Sequence, residues 1–213
     1  MYIDKSIREY INVVQSGDPT PGGGSVCSLV TSLGGALTLM TSNFSIDKPY
    51  FKELKPEIQE EIKKNHDEIK KAIERINELI DEDARGFASV INAYNEKDES
   101  EDPHDRDQRI QESYRKALLT PLNCSRECLK MLKLQESFVD YGNKDTITDV
   151  GVGVILVYAA LEGSLISVKI NLNYIEDRGY TEKIEEEIKQ IYKESSKIKR
   201  KLTEKVDKKL EGN

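Results

Sequence analysis

From Ile58 onward, apolar residues recur in steps of three, four and seven: Ile58, Ile62, Ile69, Ile73, Ile76, Ile80, Phe87, Ile91 and Tyr94. This is the period of one helix face, sustained for about ten turns. No stretch of the chain alternates apolar and polar residues as a half-buried strand does. A chain patterned this way buries its apolar surface by packing helix on helix, so the fold class is all-α.

The remaining segments complete a compact bundle of about six helices. A first amphipathic helix spans roughly 3–14 and ends at the breaker cluster 16–24. A second opens at Ser25 and runs through Leu33 to Met40, followed by a polar turn around 45–49. The third, starting near Glu53 or Pro56, carries the long stripe. The acidic run from Glu96 to Asp107 reads as an exposed loop. A fourth helix starts around Arg109 and holds Pro121, where a kink is expected. A fifth, strongly apolar helix follows Asp149, and a charged sixth covers about 182–210.

The second and fifth helices share an unusual composition. One carries Ser28, Ser32, Gly34, Gly35 and Ala36; the other carries Gly151, Gly153, Ala159, Ala160, Gly163 and Ser164. Small residues at helical spacing let backbones approach closely. Insertion in a membrane is the rival reading. A span needs about twenty mainly apolar residues, whereas the second helix runs into Thr and Ser and the fifth contains Glu162. Both are expected at the centre of a soluble bundle, against a second copy of the chain. At 213 residues the whole of 1–213 fits a single domain.

With 39 acidic against 32 basic residues the chain is acidic, with a net charge of −7, which argues against a nucleic-acid partner. Three cysteines, an odd number, and a mixed polar start without a targeting pattern point to a reducing, cytoplasmic setting. Cys124 and Cys128 share a helix face, but His66 and His104 lie in polar contexts and four ligands do not assemble. No metal site is expected, and the cysteines read as small packing residues.

The most distinctive stretch is Pro19-Thr20-Pro21-Gly22-Gly23-Gly24-Ser25. Prolines stiffen the approach, while three glycines allow positive φ and remove every side chain just where a helix begins. Unpaired N–H groups at that helix start would face a ligand, the helix dipole favouring an anionic part of it. The alternative is a linker capped by Ser25. The segment is not a nucleotide loop, since no Gly-Lys-Ser/Thr ending follows.

On the third helix, Ile76, Ile80, Asp83 and Phe87 share a narrow arc, so Asp83 is expected to face the core while Asp81 and Glu82 swing away. A carboxyl among apolar groups has its charged form disfavoured, which moves its pKa toward the range useful for proton transfer. A buried Asp tied to a helix cap fits the pattern equally well. Asp149 falls where a helix N-cap belongs. Asn171 lies in an apolar run, where it either binds a ligand amide or satisfies backbone groups. Lys48, in the turn after the second helix, is placed to meet a carboxylate or is simply exposed.

Taken together, these residues resemble the cyclodeaminase domain of formiminotransferase-cyclodeaminase and its free-standing relatives, which include methenyltetrahydrofolate cyclohydrolases. Pro21-Gly22-Gly23-Gly24-Ser25 is similar to the family's Pro-Gly-Gly-Gly-Ser, and Asp83-Ala84-Arg85-Gly86-Phe87 to its Asp-Ala-x-Ala-Phe. Pro121, Asp149-Val150-Gly151-Val152 and Ile170-Asn171-Leu172 resemble further blocks in the same order. Where the family has Gly-Lys before an aromatic, this chain has Asp47-Lys48-Pro49-Tyr50. Where the family has Leu-Pro-Lys, this chain has Tyr94-Asn95-Glu96-Lys97.

The resemblance implies a homodimeric all-α enzyme of folate one-carbon metabolism. Its substrate would be a tetrahydrofolate derivative, with or without a polyglutamate tail, and no further cofactor is needed. Asp83 would act as general acid/base. Gly22, Gly23, Gly24 and Ser25 would hold the folate by close backbone contact. Lys48 would attract its carboxylates, and Asp149 and Asn171 would shape the pterin end. The expected reaction is cyclodeamination of 5-formimino-tetrahydrofolate to 5,10-methenyl-tetrahydrofolate and ammonia. Methenyltetrahydrofolate cyclohydrolysis is the alternative, and a non-catalytic helical dimer that binds folate or a partner protein is the reading from another class.

Overall fold

The structure is a computed structural model, and it describes residues 1–96 and 102–212. Its elements are α1 (Ile7–Val14), α2 (Gly23–Asn43), α3 (Pro49–Lys52), α4 (Pro56–Asn95), α5 (Pro103–Tyr141), α6 (Ile147–Leu172) and α7 (Arg178–Glu211). A 3-10 turn, Lys144–Thr146, leads into α6. Among the described residues there is no strand. The all-α bundle expected from periodicity is what forms.

α2 is the central element, packed against α4, α5 and α6, and α7 lies across α5 and α6. Direction follows from the pairs it makes. Gly35 faces Ile73, and Ser42 bonds His66, so α2 and α4 are antiparallel. Gly34 faces Gly153, while Cys27 faces Gly163, so α6 is antiparallel to α2 as well. Thr31 and Thr38 meet Cys128 and Gln135, so α5 runs parallel to α2.

The burial pattern of α2 inverts the usual one. Its buried side chains are Ser25, Ser28, Thr31, Ser32, Thr38, Thr41 and Ser42, while Leu33 is 51% exposed. Hydroxyls can be buried here because the helix satisfies its own: Ser28 Oγ, Thr31 Oγ1 and Thr38 Oγ1 each donate to the carbonyl four residues back. The result is a narrow helix that α6 can approach closely. A Cβ on Gly34 would come within 2.8 Å of the Gly153 carbonyl oxygen, and one on Gly153 within 2.7 Å of the Gly34 carbonyl oxygen. α2 and α6 are long and apolar enough in composition to cross a bilayer, but about half of each such window is buried inside this bundle.

Several boundaries differ from expectation, each for a local reason. α1 starts at Ile7 rather than Ile3, because Ser6 and Glu9 form a reciprocal capping box there. α2 starts at Gly23, two residues before Ser25. The expected exposed loop from Glu96 to Asp107 falls partly outside the described residues, and its last part is helical. Asp102 caps α5 by accepting the His104 N–H at 2.8 Å, with Pro103 as the first helical residue. α5 continues through Pro121 to Tyr141. The polar turn contains the short α3, preceded by Asp47 at φ 68°, a left-handed conformation that disfavours most side chains.

The third-helix stripe is buried from Ile62 through Ile69, Ile76 and Ile80, but Phe87, Ile91 and Tyr94 are each more than 40% exposed. α2 explains the change. It covers α4 only as far as its own first turn, which lies opposite Asp83 and Ala84.

The Gly34–Gly153 crossing should be the least forgiving position in the bundle, because backbone rather than a flexible side chain opposes any added carbon. Gly34→Ala is expected to lose about 3 kcal/mol of stability in urea unfolding. A change below about 0.5 kcal/mol would mean that the two helices part at no cost.

Candidate active site

The glycine run and the third helix meet. Asp83 Oδ2 accepts the Ser25 N–H at 3.0 Å, so a carboxylate on α4 caps the first turn of α2. The N-cap residue of α2, Gly22, has no side chain to do this. Asp83 presses so closely on the helix start that a Cβ on Gly24 would lie 2.1 Å from its Oδ1. Gly24 is therefore required for space. None of the glycines has positive φ, contrary to the role expected for them. Beside Gly22 and Gly23 the space is open, with no atom within 4 Å of an added Cβ.

Asp83 is half-buried, and burial pushes its carboxyl above the usual range, while the Ser25 N–H pulls the other way. The second oxygen faces the bare glycine surface. This arrangement can hold a proton and pass it to a group lying on the glycine run.

A second carboxylate lies nearby. Asp81 was expected to swing outward, yet it is only 6% exposed, and accepts the Tyr2 N–H at 2.6 Å and the Ile3 N–H at 3.4 Å. The periodicity of α4 could not reveal this, because the cover comes from the N-terminal segment, 78 residues or more away in sequence. That segment delivers another group. Tyr10, the one buried residue of α1, places its hydroxyl 2.9 Å from Ser25 Oγ. Burial raises the Tyr10 pKa, as do the nearby Asp83 and Asp81 charges, while the Ser25 hydrogen bond opposes the rise. The sequence reading did not single out Tyr10 or Asp81, although Tyr10 lies on the apolar side of α1, within one turn of Ile7 and Val14. Glu82 does turn away and pairs with Arg75 at 2.8 Å.

The other expected site residues divide. Asn171 lies toward the Gly22–Ser25 end of the bundle, but its side-chain amide donates to the Ser167 carbonyl of its own helix at 2.9 Å, the backbone-satisfying role. Asp149 does not cap α6. It is the third residue of that helix, whose N-cap is Thr146, and its charge there complements the helix dipole. Lys48 is the exposed N-cap of α3. Both Asp149 and Lys48 lie toward the far end of α2, Asp149 about 20 Å along its axis from Ser25 and Lys48 beyond its last residue, more than about 27 Å away. One subunit therefore brings together Asp83, Gly22, Gly23, Gly24 and Ser25 but not Lys48 or Asp149.

Cys124 and Cys128 are buried, with Thr31 Oγ1 3.1 Å from Cys128 Sγ. They pack α5 against the hydroxyl face of α2.

The model of the formiminotransferase-cyclodeaminase family matches residues 6–190, a span that includes the glycine run, Asp83, Asp149 and Asn171. The chain belongs to that family. This family member is 28% identical over 209 residues to a methenyltetrahydrofolate cyclohydrolase of Methylorubrum extorquens, covering 97% of this chain and 98% of the relative. It is also 28% identical over 196 residues to the formimidoyltransferase-cyclodeaminase of Rattus norvegicus, covering 91% of this chain but only 35% of the longer rat protein. The crystal structure of a formiminotetrahydrofolate cyclodeaminase from Thermotoga maritima superposes with a TM-score of 0.80 at 24% identity. That superposition covers 98% of this chain and 97% of the other, a likeness of fold.

The raised Asp83 pKa sets a sign for stability. A carboxyl whose folded pKa exceeds its ordinary 3.8 binds its proton more tightly when folded. The cost of ionising it is absent below that value and is felt in full above the folded pKa. Asp83→Asn keeps an acceptor for the Ser25 N–H and removes the cost. In thermal melts, the Tm of Asp83→Asn relative to wild type should therefore rise as the pH is raised from about 4. A relative Tm that falls over this range would show the carboxylate to be stabilised by its surroundings.

Proposed function

We propose that this chain is a folate one-carbon enzyme that converts 5-formimino-tetrahydrofolate to 5,10-methenyl-tetrahydrofolate and ammonia. The observation that carries the reading is Asp83, half-buried and pressed on the bare start of α2 at Gly24 and Ser25. In the reaction, N10 of the folate adds to the carbon of the protonated formimino group and gives up its proton to the Asp83 carboxylate, leaving a neutral amino group on that carbon. The carbon–nitrogen bond to the former imino group then breaks, and the carboxyl returns the proton to the departing ammonia. A carboxyl that burial inclines toward its protonated form suits that second step. Gly22, Gly23 and Gly24 let the cofactor lie against the backbone, with Ser25 Oγ, oriented by Tyr10, as a polar contact. No other cofactor takes part.

The second reading is cyclohydrolysis, in which Asp83 takes a proton from water as it adds to the methenyl carbon and the ring opens to 10-formyl-tetrahydrofolate. The end-to-end match to the Methylorubrum cyclohydrolase favours it. Purified protein given 5-formimino-tetrahydrofolate should release ammonia as the methenyl absorbance appears. Loss of absorbance from 5,10-methenyl-tetrahydrofolate alone would select the second reaction. In either case Asp83→Asn should lower kcat by about 10²- to 10⁴-fold. A wild type that binds folate but turns over neither compound leaves a non-catalytic folate-binding module.

The active species in this reading is a cytoplasmic homodimer joined through the outer face of α2 and α6. That face exposes Leu33, Val152, Ile155 and Ile166, each between 48% and 67%, an apolar surface that a second copy would cover. With the two copies of α2 antiparallel across the twofold axis, the partner's Lys48 and the partner's Asp149 come to the glycine end of the first subunit, where Lys48 meets the folate carboxylates and Asp149 and Asn171 border the pterin. Three free cysteines support the reducing compartment. Light scattering should give twice the 24.2 kDa chain mass. Leu33→Glu should give a folded monomer with activity reduced by about 10-fold or more. A wild type that stays monomeric at assay concentrations refutes the dimer.

A further inference from the structure

The stripe of α4 that forms the core below Asp83 continues above it without cover. Phe87 and Ile91 are each 42% exposed and Tyr94 is 44% exposed. At about 100° per residue, Phe87 and Tyr94 lie within about 40° of Asp83 on the helix surface. They occupy the side of α4 that α2 would cover had it not begun opposite Asp83. Tyr94 is not isolated there. Its ring meets Tyr114 of α5 edge-on, with centroids 6.2 Å apart, and their hydroxyls are 3.4 Å apart. Tyr114 in turn stacks on Tyr174, the second residue after α6, with centroids at 4.8 Å and planes within 7°.

Three elements thus each supply a tyrosine to one wall, and Phe87 lies one helical turn above the carboxylate. Packing of the helix ends accounts for Tyr114, which is 9% exposed. It does not account for Tyr174, left 50% exposed although it stacks on Tyr114. Open rings beside a proton-transfer group are what a flat, electron-rich ligand would use, by offset stacking and by removal of apolar surface from water.

We propose that Phe87, Tyr94 and Tyr174 form an aromatic strip that binds the flat rings of the folate and holds the one-carbon unit over Asp83. This rests on the folate reading above and adds a subsite to it. The strip starts one turn from Asp83 and extends to Tyr94, about 16 Å along α4. A ligand reacting near its middle can therefore place one ring system on Phe87 and still reach the glycine run. The three side chains bind and orient; none takes part in proton transfer.

The test compares Phe87→Ala, Tyr174→Ala and the conservative Tyr174→Phe with wild type. Binding of 5-formyl-tetrahydrofolate, a stable member of the substrate class, is read by calorimetry, and turnover is read separately. Each alanine variant should weaken binding by about 10-fold and raise KM by a similar factor, with kcat changed less than about 2-fold, while Tyr174→Phe stays near wild type. If the alanine variants change only Tm or oligomer mass and leave binding intact, the strip is packing or a subunit contact and the proposal is overturned. A wild type that binds 5-formyl-tetrahydrofolate without turnover defeats the catalytic reading alone, because the strip is still judged by the affinities. A wild type that binds no folate defeats both.

Discussion

The register of α2 against α4 is set by one hydrogen bond between them, from the Ser25 N–H to Asp83. A helix start needs an acceptor for its first N–H groups, and a glycine N-cap has none to offer. Taking that acceptor from α4 fixes where α2 begins along its neighbour, and the pairs Ser32 with Asn77 and Ser42 with His66 fall into step behind it. The same contact leaves Gly24 without room for a side chain. It also half-buries a carboxylate and ends the cover over the apolar stripe of α4 at that point. The chemistry of the site and the opening above it are two consequences of where α2 starts.

The composition of α2 follows from its central position. Three long helices pack against its inner side, and a wider helix would hold them apart. Glycines at the crossing with α6, and hydroxyls that bond their own backbone, allow close packing while the buried hydroxyls of α2 itself stay paired. The apolar residues are then left on the outside. Leu33 is far more exposed than Thr31 or Thr38, the reverse of an ordinary surface helix.

Much of this was legible from spacing because most of it is local. The helix class and the unusual composition of α2 and α6 rest on period and on unusual residues at fixed positions, whereas the packing of α2 on α6 and the meeting of the glycine run with Asp83 could not be read from spacing. What spacing hid came from contacts distant in sequence. Asp81 is buried by Tyr2 and Ile3, Ser25 Oγ is held by Tyr10, and Phe87 is bare because α2 stops short of it. The start of α5 was hidden differently. Asp102 and Pro103 are a clear cap, but they lie inside a run of charges whose composition reads as loop. Of the two reasons given for the glycines, positive φ does not hold, because their backbone angles are ordinary, while the absence of a side chain is required at Gly24.

The residues that carry the family likeness separate to the two ends of one antiparallel helix pair, and this separation bears on assembly. Asp83 and the glycines are at one end; Lys48 and Asp149 are at the other, beyond the reach of any side chain. A single subunit offers no reason for both groups to belong to one site. A twofold axis perpendicular to α2, passing near the exposed Leu33, would exchange the ends and bury the outward apolar face in the same step. The left-handed Asp47, just before Lys48, stands where the family resemblance has glycine. Aspartate is among the few residues other than glycine that adopt this conformation readily, so the bend survives the exchange.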